Sequence, residues 1–108
     1  MKAMMIVETR DPVGVRDVEW GALLLAAMAR SGRTSTLMLT ENGVLGARRG
    51  AKAEALHRLI GQGVEILADR FALTERGIGE ADLMPGIAGA DLAAVIDRLA
   101  AGDHVLWR

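Results

Sequence analysis

Short apolar runs alternate with helical patterns along the whole chain, and this alternation constrains the fold more than any other feature. Residues 3–7 form a continuous apolar run that breaks at Glu8, Thr9, Arg10, Asp11 and Pro12, the pattern of a central strand followed by a turn. Residues 34–40, rich in β-branched and apolar side chains, read as a second strand, and residues 64–67 as a third. Residues 105–107, opened by Asp103 and His104, form the last.

Helical patterns lie between these runs. Asp17 is placed to cap a helix over 18–30 that Ser31-Gly32 stops. Its apolar residues, Val18, Trp20, Leu23, Leu24, Leu25 and Met28, cover more than one stripe, because three consecutive leucines sweep roughly 200° at 100° per residue. One face suits the sheet, and the other is either packed between neighbours or offers Trp20, Leu24 and Met28 as an oligomer interface. Ala53, Leu56, Leu59 and Ile60 predict an amphipathic helix over 51–62, ended by Gly61 and Gly63. Residues 79–89, with Pro85 and several glycines, predict a loop with one helical turn at 80–84. Leu92, Val95, Ile96 and Leu99 then follow the i, i+3, i+4, i+7 template of a core-facing helix, with Asp91 at its start and Gly102 at its end.

The sum is a three-layer α/β/α fold, a mostly parallel sheet of four or five strands with right-handed crossovers, in a single domain over 1–108. Three helices cover such a sheet only thinly, and self-association would complete the cover.

Composition narrows the function. With 13 basic against 14 acidic residues there is no global field to attract phosphate backbones or anionic lipid. Trp20, Trp107 and Phe71 are the only aromatic residues, too few for a base-stacking platform. Arg48, Arg49, Lys52 and Arg58 make the one basic cluster, a weak case for nucleic acid. No apolar run is long enough to span a bilayer or to act as a secretory leader, so no membrane association is expected and the expected location is cytoplasmic. There is no cysteine, which excludes disulfides, thiolate metal sites and thiol nucleophiles. His57 has no second ligand at metal-binding spacing, His104 starts a strand, and no residue pattern specifies a metal or a cofactor.

In open α/β sheets ligands sit beyond the carboxyl ends of the strands, so the loops there are the candidate site. Their polar residues are Asp11 after the first strand, Glu41 and Asn42 after the second, and Asp69, Arg70, Glu75 and Arg76 after the third. Carboxylates and guanidinium groups on adjacent loops can supply acid-base and oxyanion roles, yet no spacing specifies a reaction and no residue is assigned as catalytic. The structural alternative is an ion pair between Glu75 and Arg76 that orders the loop. Gly43, Gly46 and Gly50 beside Arg48 and Arg49 suggest a phosphate loop, but match neither the dinucleotide fingerprint nor the P-loop.

The strand at the amino end, the Ala-rich helix over 21–30, Thr40-Glu41-Asn42-Gly43-Val44, Gly63-Val64-Glu65-Ile66, Glu75-Arg76-Gly77-Ile78 and Asp103-His104-Val105-Leu106 together resemble the DsrE/DsrF-like sulfur-relay family, with its YchN-like fold, over nearly the whole chain. The resemblance implies a small α/β domain assembling into trimers or hexamers, in which a catalytic subunit passes sulfur as a cysteine persulfide. In catalytic members a cysteine stands four positions before the arginine of Arg-Gly-Ile, often with another three residues earlier. Here Ala72 and Asp69 occupy those places. Neither offers a polarizable thiolate, so the chain cannot perform that transfer alone. It resembles a cysteine-free subunit acting in assembly or partner binding, as a homo-oligomer or with a cysteine-bearing DsrE-like subunit. The alternative is a small-molecule or anion-binding protein using the charged loops.

Overall fold

A computed structural model describes the backbone of residues 3–13 and 16–108, with the side chains of residues 3–13 and 21–108. The described residues form five strands, β1 (Met4–Glu8), β2 (Ser35–Leu39), β3 (Val64–Asp69), β4 (Ile87–Ala90) and β5 (His104–Trp107), and four α-helices, α1 (Arg16–Arg30), α2 (Glu54–Leu59), α3 (Arg70–Glu75) and α4 (Ala93–Ala100). The strands make one sheet in the order β4-β3-β2-β1-β5, every pairing parallel. The expected α/β/α sandwich is present with five strands.

The topology decides how the two faces are covered. From β1 to β4 the chain steps across the sheet in one direction, so right-handed crossovers put their helices on one face. The return from β4 past β1 to β5 runs the other way, and its helix, α4, falls on the opposite face. Side chains alternate along each strand to match. Ile6, Leu37, Leu39, Ile66 and Ala68 point into the larger core with Leu25 of α1, Leu56 and Leu59 of α2 and Leu73 of α3. Met5, Val7 and Met38 point the other way, where Val95 of α4 is the buried residue that meets them.

Several sequence expectations need correction. β4 overlaps the end of the stretch 79–89 read as a Gly/Pro-rich loop; it has four residues, Ile-Ala-Gly-Ala, whose small side chains carry little strand signal. The charged loop after β3 contains a helix, α3, capped by Asp69, whose Oδ1 accepts the Phe71 N–H at 3.1 Å. The predicted helix over 51–62 shrinks to the six residues of α2. In α4 only Val95 of the four template residues is fully buried; Leu92, Ile96 and Leu99 are exposed. Helix α1 begins at Arg16, so Asp17 lies within its first turn; the side chains of Asp17 and Trp20 lie outside the described residues.

The glycines after β2 serve packing. Residues Glu41–Ala47 form a 3₁₀ segment laid against the end of β1. A Cβ at Gly43 would stand 2.3 Å from the Glu8 carbonyl oxygen and one at Gly46 2.1 Å from the Pro12 ring. Arg48 Nε and Arg49 Nε donate to the carbonyls of Leu45, at 2.8 Å, and Ala81, at 3.3 Å. Close approach to the Glu8 backbone and to the Pro12 ring accounts for Gly43 and Gly46. Among the described residues no helix is long and apolar enough to cross a membrane.

Candidate functional site

Parallel strands bring their carboxyl ends to one edge, and here three adjacent strands end in buried polar residues: Glu8 on β1, Thr40 directly after β2 and Asp69 on β3. Thr40 Oγ1 donates to Asp69 Oδ2 at 2.8 Å. With Phe71 N–H on its other oxygen, Asp69 is held in one orientation by two donors, which compensates its burial. Glu8 accepts from the backbone N–H of Arg10 at 3.3 Å, with the Arg10 guanidinium 3.7 Å away.

Thr40 and Asp69 belong to the lining of a cleft of about 230 Å³, completed by Glu41, Phe71, Ala72, Glu75, Leu92 and Trp107. Buried Thr40, Asp69 and Ala72 contrast with exposed Glu41, Glu75, Phe71, Leu92 and Trp107. Glu41 has φ of 49°, a left-handed conformation uncommon outside glycine, and carries its carboxylate at the start of the 3₁₀ segment.

The structure sorts the seven candidate residues. Glu41, Asp69 and Glu75 line the cleft. Asn42 and Arg76 instead tie the 3₁₀ segment to α3: Arg76 donates to Asn42 Oδ1 at 3.0 Å and to the Ala72 carbonyl at 3.1 Å. Among the described residues no ion pair joins Glu75 to Arg76, so the loop-ordering role of Arg76 is met by Asn42 and backbone. Arg70 pairs with Glu80 and, at 3.4 Å, with Asp91. The hydrogen bond that Arg70 donates to Glu80, and then the charge of Glu80, hold the guanidinium above its ordinary pKa on an exposed side chain. Asp11 accepts from Val13 N–H at 2.9 Å and is not part of the cleft.

Sequence reasoning missed Thr40, Phe71, Leu92 and Trp107 as cleft residues, and reached Ala72 only as the position of the cysteine in the resembled family. Two of them carried a usable signal: Thr40 ends a predicted strand on the same edge, and Trp107 is the last residue of another. Among the described residues no group of three or more His, Asp or Glu is placed to hold a metal ion. His57 is exposed, with Nε2 3.3 Å from the Ala51 carbonyl. Of the residues expected at an interface, Leu24 and Met28 are half-buried, and Leu24 packs on the larger core.

A five-stranded, all-parallel sheet in this order, with α4 alone on one face, defines a YchN-like α/β fold. The structure superposes on the ychN protein from E. coli with a TM-score of 0.86 at 21% identity, covering 100% of both chains. MTH1491 from Methanobacterium thermoautotrophicum, a protein of unknown function, follows with a TM-score of 0.72 at 20% identity, over 98% of this chain and 99% of that one. BT1422 from Bacteroides thetaiotaomicron, a conserved protein of unknown function, gives 0.77 at 15% identity, over 99% and 95%. No protein-family model and no curated protein matches the sequence.

Proposed function

We propose that the chain is a non-catalytic DsrE/DsrF-like subunit whose work is assembly and partner binding, with a sulfur-relay complex as its setting. The observation that carries the assembly role is the outer side of α4, where Ile96 is 66% and Leu99 57% exposed on a helix that buries little more than Val95. Apolar side chains at helical spacing with no intramolecular cover are suited to meet a second copy of the chain. The non-catalytic role rests on Ala72. It lies in the floor of the cleft, where the sulfur-relay resemblance puts a thiol, and a methyl group has no nucleophilic chemistry.

The test is native mass spectrometry of the full chain beside Ile96→Glu and Leu99→Glu variants. A trimeric or hexameric mass is expected, falling to the monomer in either variant, because assembly would bury an unpaired carboxylate. A monomeric wild type, or variants of unchanged mass, would defeat the proposal. Purification from the native host separates self-assembly from a mixed complex with a cysteine-bearing subunit.

A second role is favoured by the cleft itself. A concave site at the carboxyl edge of a parallel sheet, with buried polar floor residues and apolar walls, suits a small ligand. The two roles are compatible: Leu92 borders the cleft just ahead of α4, and Ile96 and Leu99 lie further along the helix.

A further inference from the structure

The cleft lining combines two surfaces of different chemistry. Phe71 and Trp107, 69% and 56% exposed, stand with Leu92 as apolar walls; Glu41, Asp69 and Glu75 are carboxylates. None of the described lining residues is basic. Neither arginine that follows β3 is in the lining: Arg70 pairs with Glu80 and Asp91, and Arg76 spends its donors on Asn42 and the Ala72 carbonyl. Asp69 is fixed by its two donors, whereas no ion pair engages Glu41 or Glu75 among the described residues.

Carboxylates around a hollow raise the local concentration of positive charge, and the face of an aromatic ring attracts a cation that has shed part of its water. A metal ion is the wrong shape for this lining, because the three carboxylates do not converge as a ligand set. A charge spread over an organic skeleton can touch rings and carboxylates that stand apart. The volume, about 230 Å³, is many times the roughly 10–15 Å³ that one water needs on the same measure, enough for a small molecule.

We infer that the cleft binds a small organic cation of the substituted-ammonium class, its apolar shell against Phe71, Trp107 and Leu92 and its charge among Glu41, Asp69 and Glu75. This rests on the small-molecule role of the cleft and gives that role a ligand class. Of the small-molecule or anion alternative raised on sequence grounds it takes the first branch, since Arg70 and Arg76 are engaged by Glu80, Asp91, Asn42 and the Ala72 carbonyl.

The experiment titrates the full chain with choline, with 3,3-dimethylbutan-1-ol as its uncharged isostere, and with sulfate, following the Trp107 indole N–H and the Ala72 amide by NMR. Saturable choline shifts are expected, with the alcohol about tenfold weaker and sulfate inert. Glu75→Gln, an exposed change that leaves the fold alone, should weaken choline about threefold or more, and Trp107→Leu about tenfold. Equal binding of choline and the alcohol, or unchanged choline binding in both variants, would overturn the inference. Binding of the alcohol or sulfate without choline would overturn the cationic class and leave a small-molecule cleft in place. Silence from all three probes would remove both.

Discussion

The two faces of the sheet are built from the same strands yet end in different states. On one face Ile6, Leu37, Leu39 and Ile66 are sealed beneath α1 and α2 with Leu25, Leu56 and Leu59. On the other, Met5, Val7 and Met38 meet one buried residue of one helix, and the rest of the apolar stripe of α4 faces outward. Composition does not cause the difference, since the strands are apolar on both sides. Chirality does: three strand-to-strand steps in one direction place their crossovers together, and the single return leaves α4 alone. By strand alternation Thr40, Asp69 and Trp107 fall on the thin face, so the cleft and the exposed stripe share one side of the molecule.

If the well-covered face holds the fold together, truncating it should cost most. Leu56→Ala removes a fully buried side chain from the larger core and should destabilise by about 2–5 kcal/mol, a thermal-midpoint drop of roughly 10 °C or more. Val95→Ala, on the thin face, deletes two carbons from a small cluster and should cost about 1–2 kcal/mol. Thermal denaturation of both variants at a fixed protein concentration measures the asymmetry, and equal costs would erase it. Concentration dependence of the Val95→Ala midpoint alone would show that assembly supplies part of the cover.

The buried carboxylate of the thin face comes next. Asp69→Ala removes the cap of α3 and the partner of the Thr40 hydroxyl together, for an expected loss of about 1–3 kcal/mol. Asp69→Asn should cost less: its amide oxygen can still accept from Phe71 N–H, and its NH₂ can donate to Thr40 Oγ1 once that hydroxyl rotates. Urea titration of the two variants checks the order. If asparagine is as costly as alanine, the charge itself, rather than the hydrogen-bond geometry, keeps Asp69 in place.

This division was only half legible in the sequence. Continuous apolar strands and amphipathic patterns sufficed for the α/β/α class, because strands buried on both sides read as short unbroken apolar runs, set off by the helical periodicity between them. β4 was not legible: Ile-Ala-Gly-Ala has one large side chain, and its pairing with β3 is a tertiary fact. Nor was the outward turn of Ile96 and Leu99. Their spacing is that of a core helix, and only the handedness of the return crossover shows that there is no second layer above them. The charged residues of the site were legible as a group, but not the division of labour among them. Glu75 and Arg76 are neighbours in sequence, yet one lines the cleft and the other reaches back to Asn42, a partner 34 residues away.

The smallest change to the fold gives the sharpest test of what the thin face is suited to do. Ala72→Cys adds one sulfur atom at the cleft floor, at the place where the sulfur-relay resemblance puts a thiol. A site shaped for persulfide chemistry stabilises the thiolate and lowers its pKa. Here Arg76, bonded to the Ala72 carbonyl, and the first turn of α3 favour a thiolate, but three carboxylates, Asp69, Glu41 and Glu75, share the lining and outnumber them, and like charge disfavours ionisation. The pH dependence of iodoacetamide labelling separates the two, because restricted access scales the rate without moving the midpoint. We expect the midpoint above the ordinary thiol value of about 8.5. A midpoint well below it would mean that this cleft retains an electrostatic setting for sulfur transfer and lacks only the nucleophile, which would count against an organic cation and for a catalytic ancestry of the site.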